Sequence, residues 1–156
     1  MRSYVERGHV LHSKQFDTGA LDSLFSTTAL MKAGQYSQTV LKGKIIAMLF
    51  YEPSTRTRFS FETAALRLGA QVIGTESAKV FSSAAKGESI SDTIGMMNIY
   101  ADAVVLRTTQ DMDPFTAAHA ATIPIINAGS GTTQHPTQSL LDLFTCLLYT
   151  SPSPRD

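Results

Sequence analysis

Apolar residues follow two alternating patterns along this chain. Lys44 to Tyr51, "KIIAMLFY", holds a continuous apolar run of the kind expected for a strand buried on both faces. The stretch after it spaces its apolar residues three and four apart: Phe61, Ala64, Ala65 and Leu68 share one face of a helix, and Gly69 is a natural stop. The same alternation recurs downstream. "AQVIGT", "ADAVVLR" and "IPIINA" read as strands. "SISDTIGMMNIY" reads as a helix with Ile90, Ile94 and Met97 on one side. "DPFTAAHAAT" reads as a helix capped by Asp113 with Pro114 at its first position, and "HPTQSLLDLF" as one opened by Pro136. A further helix, capped by Asp17, precedes the first strand and stops near Gly34. Pro124 pushes the fourth strand to an edge or a strand start.

The order is therefore helix, then strand and helix four times. That alternation predicts an α/β fold: a four-stranded parallel sheet with helices on both faces. Ligands in such sheets bind beyond the carboxyl ends of the strands. The four segments at those ends are "PSTRTR", "SSAAKGES", "RTTQ" and "GSGTTQHPTQ", each rich in hydrogen-bond donors. Their convergence would suit a small anion.

Composition narrows the partners. In 156 residues, Lys and Arg together count 13 and so do Asp and Glu. A neutral chain of this kind excludes nucleic-acid binding driven by bulk charge and a polybasic membrane anchor. No stretch reaches the roughly 18 apolar residues of a spanning helix. "MRSYVERGHVLHS" lacks the apolar centre of a signal peptide. A single cysteine cannot build a disulfide framework, which points to a cytoplasmic location. No zinc-type ligand spacing, G-x-S-x-G elbow or G-x-G-x-x-G loop is present, so neither a metal nor a nucleotide cofactor is expected.

The strand-to-helix junction at Pro53–Arg58 carries the most specific chemistry. A helix start offers free backbone N–H groups and the positive end of the helix dipole. Ser54, Thr55 and Thr57 add hydroxyls, and Arg56 a planar bidentate fork for phosphate oxygens. In the bland alternative, Ser54 caps the helix and the arginines are solvated. Positive charge is disfavoured there, however, so the arginines need an anion or a carboxylate such as Glu52. Arg107 ends a strand, where a ligand contact and a solvated terminus are equally compatible with position. Lys86 reads as a surface loop lysine on its own. His135 can donate to a carbonyl oxygen or merely cap its helix, and Gln138 lies one turn on, along the same rim. His119 reads as a surface or packing residue.

The last eleven residues, "CLLYTSPSPRD", break the helical pattern of "HPTQSLLDLFT" with Ser-Pro-Ser-Pro. They match an in-frame translation of a transposase adapter used in sequencing libraries. The expectation is a native domain over residues 1–145, cut from a longer protein at Thr145, followed by 146–156 as read-through.

"FYEPSTRTRFSFETAALRLGA", "KGESISDTI" and "INAGSGTTQHPTQSLLDL", in order and with sensible spacing, resemble the aspartate carbamoyltransferase family from about residue 5 to 145. Ser-Thr-Arg-Thr-Arg is shared with the ornithine-specific relatives. "HPTQ" points to the aspartate branch, since the ornithine branch usually has Cys where Thr137 stands. Only the N-terminal, carbamoyl-phosphate half is covered. Ser130 departs from a family pattern that usually has Asp in a Gly-Asp-Gly turn.

The resemblance implies roles. Ser54, Thr55, Arg56 and Thr57 would hold the phosphate of carbamoyl phosphate. Arg107, His135 and Thr57 would reach its carbonyl oxygen, and Gln138 its NH₂ group. Ser82 and Lys86 would enter a neighbouring subunit's site, which implies a homotrimer. Carbamoyl would pass to the amine of L-aspartate in pyrimidine biosynthesis, with no cofactor. The groups gripping aspartate would lie in a second domain, so this chain alone would bind carbamoyl phosphate and turn over nothing. Two other readings stand beside it: a carbamoyltransferase for another amine such as ornithine, and a non-enzymatic phosphate-binding or oligomerising module.

Overall fold

A computed structural model describes residues 7–75, 88–132 and 134–150. A short 3-10 turn, Ser13–Gln15, leads into α1 (Thr18–Lys32). There follow β1 (Ile45–Phe50), α2 (Thr55–Arg67), β2 (Gln71–Thr75), α3 (Ile90–Tyr100), β3 (Ala103–Thr108), α4 (Asp113–Ala120), β4 (Ile125–Ser130) and α5 (Pro136–Thr150). The strands form one parallel sheet in the order β2-β1-β3-β4, with helices packed on both of its faces. The α/β expectation is met in kind and order.

The alternation of side chains along the strands splits the core in two. Ala47, Leu49, Val104, Leu106 and Ile125 meet Ile94 of α3 and Ala117 and Ala118 of α4 on one face. Ile46, Met48, Phe50 and Val105 meet Ala65 of α2 on the other. Each fully buried Leu, Ile or Phe here stabilises the fold by about 1.5–3 kcal/mol. The sheet is thus pinned from both sides, and its carboxyl edge is a rigid base for the loops above it.

The ends of the elements follow the local chemistry. Asp17 accepts the Ala20 N–H at 2.8 Å and so caps α1. Ser89 and Asp92 form a reciprocal capping box on α3. α4 begins one residue earlier than the sequence suggests: Asp113 is its first residue and Met112 occupies the cap. A proline tolerates either of the first helical positions, so it did not fix the start. β4 lies at a sheet edge, as Pro124 implies. Residues 9–12 run beside that edge: Val10 donates to the Ile125 carbonyl at 2.8 Å and accepts from the Asn127 N–H at 2.7 Å. No periodicity in residues 9–12 marks this extra pairing.

Candidate functional site

The strand order reverses around β1. β2 lies to one side of it and β3 to the other, and this creates a crevice above the carboxyl ends of β1 and β3. Phe50 and Arg107 are partners in register there, and the Tyr51 N–H donates to the Arg107 carbonyl at 2.8 Å. The chain then turns through Glu52 and Pro53 into α2. A cavity of about 960 Å³ opens at this point. Ser54, Thr55, Arg56 and Thr57 form one wall, and Arg107, His135, Thr137 and Gln138 line it as well. Three of the four expected segments therefore meet. Ser82 and Lys86, from the fourth, lie outside the described residues.

On the α2 side, Ser54 sits at the cap position but makes no side-chain capping bond. Ser54 thus caps α2 through its backbone alone, its carbonyl accepting the Arg58 N–H at 3.0 Å. Arg58 turns along the helix to Glu62 at 2.5 Å, a pair four residues apart. Arg56 is exposed and has no ion-pair partner among the described residues. It faces the cavity beside the hydroxyls of Ser54, Thr55 and Thr57.

Across the crevice the groups are interlocked. Arg107 pairs with Glu52 at 2.7 Å through both Nε and Nη2. Glu52 thus serves Arg107 and not the arginines of α2, as its place in the sequence had suggested. Arg107 Nη1 donates to the Ala128 carbonyl at 3.2 Å and lies 3.5 Å from His135 Nε2. A guanidinium cannot accept, so His135 Nε2 is the acceptor in that contact. Its Nδ1 then carries the proton, 3.4 Å from Thr137 Oγ1. Burial and, after it, the Arg107 charge push the His135 pKa below the ordinary histidine value, which keeps the ring neutral. Gln138 lies at the same wall, its amide donating to Asp142 at 2.8 Å.

A β-bulge aims Arg107. Leu106 pairs with Asn127 and Thr108 with Ser130, so Arg107 alone faces both Ala128 and Gly129. Gly129 has φ +128°, and a Cβ there would come within 2.8 Å of Arg107 Nη1. The guanidinium rests against backbone that only glycine leaves open. Ser130, the departure from the usual turn residue, is buried and accepts from Asn127 Nδ2 at 3.2 Å. Sequence reading missed Glu52 as the Arg107 partner, and it missed Asn127 and Gly129. The extra residue on β4 opposite Arg107 is visible only once the strands are paired.

This donor-lined crevice matches a known domain. Residues 8–147 fit the family model described as "Aspartate/ornithine carbamoyltransferase, carbamoyl-P binding domain". The chain belongs to the aspartate/ornithine carbamoyltransferase family. The chloroplastic aspartate carbamoyltransferase of rice is 48% identical over 145 residues, covering 88% of this chain and 40% of the relative. The catalytic subunit of the M. Jannaschii aspartate transcarbamoylase superposes with a TM-score of 0.82 at 42% identity, over 91% of this chain and 47% of that one. The Trypanosoma cruzi aspartate transcarbamoylase in complex with carbamoyl phosphate and aspartate gives 0.77 at 36% identity, over 90% and 47%. The chain thus spans less than half the length of these carbamoyltransferases.

Proposed function

We propose that this chain is the carbamoyl-phosphate half of an aspartate carbamoyltransferase, binding carbamoyl phosphate in the crevice between α2 and the β3–β4 rim. One observation carries the reading: Arg56, without an ion-pair partner among the described residues, and a helix start face a preorganised Arg107–His135 pair across a single cavity. The first wall suits a phosphate and the second a carbonyl oxygen. In this reading Ser54, Thr55, Arg56 and Thr57 hold the phosphate through charge-assisted bonds and backbone N–H groups. Arg107, His135 and Thr57 receive the negative charge that grows on the carbonyl oxygen as an amine attacks its carbon. Gln138 takes the carbamoyl NH₂, leaving Asp142.

His135 must then donate rather than accept. Its proton moves from Nδ1 to Nε2, and Thr137 turns its hydroxyl to donate to Nδ1. The Thr137 contact keeps its partner and reverses direction, whereas Nε2 gives up Arg107, which cannot accept, for the carbonyl oxygen. As the bond from carbon to the bridging phosphate oxygen breaks, the amine's proton passes to the departing phosphate, whose remaining charge is held by Arg56 and the helix start.

The acceptor in this reading is the amine of L-aspartate, favoured over ornithine by Thr137 within "HPTQ" and by relatives bearing the aspartate name. Among the described residues, no helix is long and apolar enough to cross a membrane. We further propose a cytoplasmic homotrimer for the whole protein, with Ser82 and Lys86 of a neighbouring copy completing each site. Residues 146–156 are proposed as adapter read-through, although α5 itself runs to Thr150. Sequencing the source locus through codon 145 decides that point: a frame that departs from "CLLYTSPSPRD" supports it, and one that encodes it overturns it.

Titration calorimetry of this chain with carbamoyl phosphate tests the main reading. Binding that Arg56→Ala abolishes while the fold is kept is the expected result, together with no release of phosphate when L-aspartate is added. Absence of binding overturns the assignment. Turnover by this chain alone overturns the dependence on a second domain.

A further inference from the structure

We propose that Asn127 is a positioning residue that fixes the β4 bulge and thereby aims Arg107 at the carbonyl end of the bound ligand. The inference rests on the carbamoyl-phosphate reading only for the ligand used to test it. Asn127 is fully buried and does not line the cavity. Its Oδ1 accepts the Gly129 N–H at 2.9 Å. Its Nδ2 donates to the Leu11 carbonyl at 2.9 Å and to Ser130 Oγ at 3.2 Å. One side chain thus ties together the segment beside the sheet edge, the bulge and the residue that closes it.

The consequence reaches Arg107 through two short contacts. Nη1 donates to the carbonyl of Ala128, and Gly129 leaves no room for a Cβ beside that same nitrogen. Residues 128 and 129 are the two that bulge against Arg107. Their path sets where the guanidinium rests, and Asn127 sets their path. A bulge without such a tie would relax towards regular pairing, because the bulged residues lack ladder bonds of their own. Asparagine suits the position, since its short amide can bond the backbone two residues on while donating elsewhere. The alternative is that Asn127 only satisfies buried backbone groups and serves stability alone.

Two ligands separate these roles. Inorganic phosphate reports on the α2 wall, whereas carbamoyl phosphate also needs the Arg107 wall. Asn127→Ala is expected to weaken carbamoyl phosphate about tenfold and inorganic phosphate less than about twofold, measured by calorimetry on folded protein. Ser130→Ala, which removes one acceptor only, is expected to act in the same direction by about two- to threefold. An equal loss for both ligands, or no loss for either, overturns the proposal. If Asn127→Ala fails to fold, Ser130→Ala decides by the same comparison. If the unsubstituted chain binds neither ligand, the carbamoyl-phosphate reading falls. The positioning role is then decided by the Arg107 Nε–H proton resonance, which the Glu52 bond protects from exchange. Loss of that protection in Ser130→Ala supports the role, and unchanged protection overturns it.

Discussion

The two walls of the crevice are built on opposite plans. The α2 wall is a run of consecutive residues, Ser54 to Thr57, at the start of a helix, with Arg56 exposed and unpaired among the described residues. The β3–β4 wall gathers Glu52, Arg107, Asn127, Gly129 and His135 from distant parts of the chain and bonds them to one another. The first wall is open and fits an anion that brings its own charge. The second holds its donors in place before any ligand arrives, as suits a charge that appears only during reaction. A phosphate is fully charged from the outset, so it can organise an exposed arginine around itself. An oxyanion exists too briefly to do so.

Arg107→Ala breaks the interlocked wall outright and has the largest expected effect. On the proposed reading, transfer activity in the whole protein should fall by about 100-fold or more, the usual loss for one oxyanion donor. Carbamoyl phosphate affinity of this chain should fall as well. Glu52 is left without its partner at a half-buried position, so stability should drop by about 1–3 kcal/mol, read by urea denaturation. An unchanged stability would show that the wall is not interlocked as its bond lengths indicate.

Arg56→Ala breaks the open wall and should separate binding from stability. An exposed arginine with no ion-pair partner among the described residues contributes little to the fold, so the unfolding free energy should stay within about 0.5 kcal/mol. Inorganic phosphate affinity should fall by about 10- to 100-fold, the range for a lost charge-assisted hydrogen bond. Equal losses of stability and binding would mean that Arg56 is held by the protein after all, and the contrast between the walls would fail.

The same contrast explains how much the sequence revealed. Ser54–Thr57 is contiguous, so the strand-to-helix junction and its donors could be read residue by residue. The parallel sheet was legible because the spacing of apolar residues encodes it. Arg107, His135 and Gln138 were visible as polar residues at strand and helix ends, but their company was not. Glu52 lies next to the α2 arginines in sequence and beside Arg107 in space, 55 residues away. Asn127 looked like the end of an apolar strand, and its bond to Leu11 spans 116 residues. Gly129 read as part of a loop, while its packing against Arg107 depends on the shift in β3–β4 pairing. Local patterns carry elements and contiguous motifs. They do not carry register shifts, which decide how the second wall is aimed.

Acid gives the smallest and most graded test. His135 is held below the ordinary histidine pKa by burial first and the Arg107 charge second. A depressed histidine favours the neutral ring in the folded state. Its stability contribution is therefore complete above about pH 6.5, the unfolded value, and is lost as pH falls through the folded pKa. Protonation also places a second positive charge beside Arg107 and removes the acceptor that Nε2 offers it. His9 behaves alike and for the same kind of reason: burial leads, the Arg7 charge follows, and its Nδ1 accepts the Ile125 N–H at 3.0 Å. Asp113, raised by burial, acts in the opposite sense and at more acidic pH. Stability should thus decline from about pH 6.5 downwards, with each histidine supplying part of the slope. His135→Asn should make the decline shallower without abolishing it, measured by urea denaturation from pH 5 to 7.5. An unchanged slope would mean that His135 keeps its ordinary pKa, and that its contact with Arg107 costs the folded chain nothing.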